Sequence, residues 1–202
     1  MKIKSQLLKF TMAGVLLASV INCGTKKMEE HTMEPQEAAV VEALPVTSKP
    51  QFKVDGQFQK QLALVFTNYV SLKDAFVDSD PTKVKAEAEK VSQALAKVDM
   101  TLLTDAPHND WMVYQQNLKQ ALGDMQSKSE IEVQRSAFKN LSDELYKTIK
   151  AYGLGGTTAY HEYCPMAFNN SGAYWLSDNA AIRNPYFGDK MLKCGSVEEQ
   201  LN

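Results

Sequence analysis

Two cysteines, each with a methionine close by, carry the chemistry this sequence offers. Cys164 is followed two positions later by Met166, and Cys194 is preceded three positions earlier by Met191. Thiolate and thioether sulfurs are the soft ligands that suit Cu(I), with Ag(I) and Zn(II) as the other ions such a set accepts. A single site closes only if the chain between the two halves folds back on itself. His161 and His108 are the imidazoles within reach of the argument. His108 stands within one helical turn of Trp111 and Met112, at a corner that either packs against the tail and supplies a nitrogen or, the favoured reading, holds a histidine near a helix N-terminus, exposed or bonded to backbone. The same two thiols support another reading. In an oxidising compartment they would pair as a Cys164–Cys194 disulfide, closing a loop of about 30 residues worth roughly 3 kcal/mol in the chain-entropy picture. The residues alone leave metal and disulfide both open.

Catalysis is not expected. The sequence has no Gly-x-Ser-x-Gly, phosphate loop, dinucleotide fingerprint or His-Glu-x-x-His pattern. A Cys164 nucleophile with His161 three residues upstream would lack an orienting third group.

The first residues say where the protein works. Lys2, Lys4 and Lys9 precede an apolar stretch from Met12 to Ile21 that is too short to span a bilayer and reads as a secretory signal. It ends at Val20-Ile21-Asn22-Cys23-Gly24, which resembles a bacterial lipobox. Residues 1–23 are therefore expected to be a lipoprotein signal peptide, with Cys23 the lipidated residue. Acyl chains there would hold the protein to the membrane of the bacterial envelope, facing the periplasm or the cell surface, without a spanning helix. Losing three lysines from 22 Lys+Arg leaves 19 against 24 Asp+Glu, a net charge of −5. Such a domain lacks the basic face that nucleic acid requires, so no nucleic-acid partner is expected. Residues 24–53 carry no apolar periodicity and read as a disordered tether. Met28, His31 and Met33 within it read as spacer residues.

The middle of the chain must position the sulfurs. Phe58, Leu62, Val65, Tyr69, Leu72 and Phe76 step by four and three, which places them on one helical stripe. Asp80-Pro81 stops that helix and starts the next, with Asp80 as N-cap and Pro81 in the first turn. Val84, Ala88, Val91, Leu95 and Val98 repeat the spacing. Trp111, Tyr114, Leu118 and Met125 mark a third helix, and Phe138, Leu141, Leu145, Ile149 and Tyr152 a fourth that ends at Gly153. Beyond it, Tyr160, Tyr163, Phe168, Tyr174, Trp175, Tyr186 and Phe187 form an aromatic load that must bury against the helices. Gly172, Gly188, Pro165 and Pro185 punctuate it at irregular spacing. The expected fold is all-α: an antiparallel up-and-down four-helix bundle with an irregular, aromatic-rich C-terminal extension (157–202) packed on it, in one domain covering 54–202.

The chain also resembles a known family over residues 54–200. The resemblance is carried by Val54-Asp55-Gly56, Tyr69 to Leu72 with Lys73-Asp74-Ala75, Val98-Asp99-Met100, and His108 with Trp111-Met112. It is most specific in the tail: Cys164-Pro165-Met166-Ala167-Phe168, Gly172 to Ser177, Ile182 to Gly188, and Met191-Leu192-Lys193-Cys194-Gly195. The family is a bacterial domain of unknown function found in small envelope lipoproteins and as a C-terminal extension of periplasmic adaptor subunits of heavy-metal efflux pumps. The resemblance implies copper or silver handling and an efflux adaptor or another copper-handling protein as partner.

Overall fold

The computed structural model describes residues 49–202. The signal segment 1–23 with Cys23, and residues 24–48 of the expected tether, lie outside the described residues. Four long helices make the core: α1 (Gly56–Val77), α2 (Pro81–Ala96), α3 (Asp105–Ser127) and α4 (Ile131–Tyr152). Consecutive helices pack together, and α1 also meets α4. The stripe expected on α1 is buried along its whole length, and Val84, Ala88, Val91 and Leu95 face it from α2. Asp80 caps α2 as its residue type requires, accepting the backbone N–H groups of Thr82 and Lys83 at 2.9 and 3.0 Å. A short 3-10 turn, Met100–Leu102, links α2 to α3. Among the described residues no helix is long and apolar enough to cross a membrane.

The core has an aromatic seam at each end. Phe58, Trp111 and Tyr152 meet at one, with Trp111 edge-on to Phe58 at 5.1 Å. Phe76 and Phe138 meet at the other, 4.6 Å apart, and Tyr186 from the tail packs onto Phe138. The last residues of the expected tether contact the end of α4. Gln51 and Phe52 already donate backbone hydrogen bonds to the Lys150 and Ala151 carbonyls, and the Phe52 ring lies 5.5 Å from Tyr152.

The tail corrects the all-α expectation. It is not irregular: β1 (Ala159–Cys164), β2 (Ala173–Ser177) and β3 (Ser196–Leu201) form an antiparallel sheet in the order β2-β1-β3. The strands are five and six residues long, so glycine- and proline-rich connections outweigh them in composition and hide their alternation. Aromatic side chains stabilise them by cross-strand pairing, as Tyr163 does with Tyr174 at 4.4 Å. The turn between β1 and β2 contains three consecutive left-handed residues, Phe168, Asn169 and Asn170. Asparagine tolerates this conformation, whereas phenylalanine costs about 1 kcal/mol, offset here by edge-on packing of its ring on Tyr186.

Tyr69 ties β2 to two helices at once. The buried Tyr69 hydroxyl on α1 bonds Ser142 Oγ on α4 at 2.7 Å and accepts the Leu176 N–H of β2 at 3.1 Å. Arg135 of α4 makes a second joint, donating to the carbonyls of Pro185 and Phe76 and to Ser79 Oγ.

Candidate functional site

Sheet register brings the two cysteines together. β1 pairs with β3 from Ala159↔Leu201 to Tyr163↔Ser196, so the residues just before Ser196 arrive beside the end of β1. Gly195 makes that approach feasible. Its φ is +145°, and a Cβ there would stand 2.7 Å from the Tyr163 carbonyl oxygen and 2.8 Å from the Trp175 ring. Cys164 and Cys194 are free thiols whose sulfurs lie 3.1 Å apart. Cys164 is fully buried and Cys194 half-buried. Hydrogen bonding to Cys164, then burial, pushes the Cys194 thiol above its ordinary range. Two thiolates about 2.3 Å from one tetrahedral ion stand about 3.8 Å apart, so ligation needs this pair to open by about 0.7 Å.

Asn184 fixes the Cys194 side of the pair. It is fully buried, and its side-chain amide donates to the Cys194 carbonyl at 2.7 Å while its carbonyl oxygen accepts the Tyr186 N–H at 2.8 Å. Its own N–H reaches the Leu192 carbonyl at 2.8 Å. One asparagine thus closes the loop that carries Met191 and Cys194. In the sequence Asn184 stands out only within the run Ile182 to Gly188 that carries the family resemblance, because nothing local reveals a contact ten residues away.

The other expected ligands divide. Met166, which is 46% exposed, and Met191, which is half-buried, border one open cleft of about 530 Å³ with Phe168, Tyr186, Phe187 and Arg135. The two thiols do not line that cleft. The thioethers therefore share a cleft wall that the thiols do not reach. His108 is not brought to the sulfurs. It lies one turn before Trp111 at the Phe58 end of α1, beside Pro107, whose carbonyl accepts the Tyr152 hydroxyl. Tyr186, which packs against Trp175 beside Gly195, belongs to the Phe76 end. The helix between Phe58 and Phe76 is about 27 Å long. Among the described residues no three His, Cys, Asp or Glu side chains converge as a metal set, so a site here rests on the thiol pair and its neighbouring thioethers.

Besides Cys164, two ionisable groups of β1 are buried, Glu162, which the sequence did not single out, and His161, which it did. Glu162, two residues before Cys164, is 1% exposed, and burial pushes its carboxyl up to about 8 despite the pull of the buried Lys73 ammonium. The Trp175 indole N–H faces that carboxyl without closing a hydrogen bond of standard geometry. His161 lies an odd number of residues from Cys164 and so projects from the opposite face of β1. Its ring is stacked between Tyr146 at 3.8 Å and Tyr174 at 4.6 Å, and burial pulls its pKa down to about 4.

The helical half of the chain has a recorded likeness. Residues 65–157 match a family model described as a protein of unknown function, DUF3347. The DUF3347 match covers most of α1, all of α2 to α4 and the Gly153 stop, including His108. It ends before β1, so both thiols, both methionines and Asn184 lie beyond it. No curated protein and no solved structure matches the chain.

Proposed function

We propose that this protein is a membrane-tethered envelope protein that binds a soft metal ion, Cu(I) in the first instance, and hands it to an efflux adaptor or another copper-handling partner. The observation that carries the reading is the meeting of Cys164 and Cys194 at 3.1 Å, with Met166 and Met191 on one adjoining cleft. Soft sulfur donors favour Cu(I) and Ag(I), with Zn(II) as a competitor, and discriminate against calcium and magnesium. In this reading the two thioethers, which line one open cleft, take up the incoming ion before the thiol pair does. The signal segment with Cys23 supports lipid anchoring, and the resemblance to efflux-associated lipoproteins supports the partner. The short links between helices support an antiparallel up-and-down arrangement of the scaffold. The role is binding and transfer, not catalysis.

The test is a competition titration of reduced protein with a chromogenic Cu(I) chelator. One equivalent of Cu(I) is expected, with an affinity that falls by about a hundredfold in Cys194→Ser, a loss of about 3 kcal/mol. An unchanged affinity in that variant would place the site elsewhere or remove it.

A second reading has its own support. Cys164 is fully buried and its sulfur already touches Cys194, so oxidation would give a structural disulfide in an anchored interaction module without metal. That reading requires a lower melting temperature on reduction and no response to Cu(I).

A further inference from the structure

On the face of the sheet away from the thiols, an open cleft of about 500 Å³ lies between α4 and the three strands. Its wall includes His161, 8% exposed, whose ring nitrogens hydrogen-bond to none of the described residues. Tyr146 and Tyr174 cover both faces of that ring, so only its nitrogen-bearing edge is left to act. Burial keeps the imidazole neutral at pH 7, with one acceptor nitrogen and one N–H.

The sheet is distorted at this point. His161 pairs with Glu199 and Glu162 with Val197, which leaves Glu198 as an extra residue in β3, a β-bulge. Successive residues of a regular strand point to opposite faces. The bulge instead lets two consecutive carboxylates, Glu198 and Glu199, line one cleft. Asp143 adds a third from α4. Lys147 is the cation among the lining residues, and Glu144 holds it at 2.7 Å. Asp143 is paired with Lys139, and Glu199 with Lys150 and the Tyr146 hydroxyl, while Glu198 takes only the Ser196 hydroxyl. Two of the three lining carboxylates are thus ion-paired, and Glu198 is the one with no cation in a salt bridge among the described residues, beside a buried imidazole whose ring nitrogens hydrogen-bond to none of them.

From this arrangement we infer that the cleft binds a guanidinium group. A metal ion does not fit, because no three of these side chains converge closely enough to ligate one. An ammonium has three donors for a wall with at least four acceptors, whereas a guanidinium presents five in a planar fork. The volume is that of a small-ligand pocket. The ligand is either a free guanidino compound or an arginine side chain of a partner protein. The inference does not depend on the thiol reading, since the two sites occupy opposite faces of β1.

The test is calorimetry or NMR titration of the full chain with agmatine and with an acetylated Gly-Arg-Gly amide, using the citrulline peptide as the uncharged isostere. Saturable binding of either charged probe is expected, weakened about tenfold in His161→Phe, which keeps the aromatic stack but loses the acceptor, and about tenfold in Glu198→Gln. A peptide at least tenfold tighter than agmatine identifies a partner side chain; equal or tighter agmatine identifies a free ligand. If His161→Phe does not fold, the exposed Glu198→Gln decides. No saturation below about 10 mM, equal binding of the citrulline peptide, or unaltered binding in the variants overturns the inference.

Discussion

Replacing Asn184 with alanine should loosen the thiol pair without touching either sulfur. The side chain makes two hydrogen bonds to backbone groups, the Cys194 carbonyl at 2.7 Å and the Tyr186 N–H at 2.8 Å. Alanine leaves both groups without a partner in a fully buried position. Each such loss costs about 1–3 kcal/mol, so Asn184→Ala should destabilise by about 2–6 kcal/mol. The effect should concentrate in the loop that carries Met191 and Cys194, because the asparagine ties that loop to itself and not to the helices. If opening of this loop governs access to Cys194, a cost of about 2 kcal/mol makes the thiol about thirtyfold faster to alkylate under native conditions. The assay is urea unfolding at 25 °C together with the alkylation rate of Cys194, read by peptide mass spectrometry. A loss below about 0.5 kcal/mol with an unchanged alkylation rate would refute the reasoning. Asn184→Asp provides the control: it keeps the acceptor for Tyr186 and loses the donor to Cys194, so it should still speed alkylation.

Three further outcomes follow from the same geometry. Tyr69→Phe should cost about 2 kcal/mol in urea unfolding, because it strands the Leu176 N–H while Ser142 keeps its bond to the Phe138 carbonyl at 2.8 Å. Gly172→Ala should cost more than a typical glycine substitution: φ is +78° and a Cβ would overlap the Tyr163 hydroxyl, so the strained backbone is kept and the Tyr163 ring must move away, seen as a lowered melting temperature. His161 has its pKa lowered from 6.5 to about 4 by burial, so the folded state binds fewer protons than the unfolded chain between those values. Its contribution is therefore complete above pH 6.5 and lost as pH falls toward 4, by about 3 kcal/mol at most. Comparing the unfolding free energies of wild type and His161→Phe from pH 4 to 7 should show the variant losing less on acidification.

The helices were legible because each reports itself locally. The stripe from Phe58 to Phe76 repeats at helical spacing, and Asp80-Pro81 marks a boundary by residue chemistry alone. The strands were not, since the short runs Ala159–Cys164 and Ala173–Ser177 gain stability from partners distant in sequence. The meeting of Cys164 and Cys194 was legible as chemistry, because two scarce thiols flanked by methionines invite one site. Its mechanism was not: the Tyr163↔Ser196 register and the close approach at Gly195 exist only in three dimensions. The role of His108 stayed between two readings for a related reason. Its closeness to Trp111 is real, but Trp111 packs at the Phe58 end of the core, far from the sulfurs. Glu198 and His161 show the reverse, a cleft assembled by a bulge that no pattern of residue types announces.

The proposal depends most directly on whether one Cu(I) ion occupies both thiols at once. Peptide-resolved alkylation of the reduced protein, with and without one equivalent of Cu(I), measures this. The account expects Cys164 and Cys194 to be labelled in the absence of copper, slowly for the buried Cys164, and both to be protected together by a single equivalent. Labelling of either thiol at the same rate in the presence of copper would contradict it.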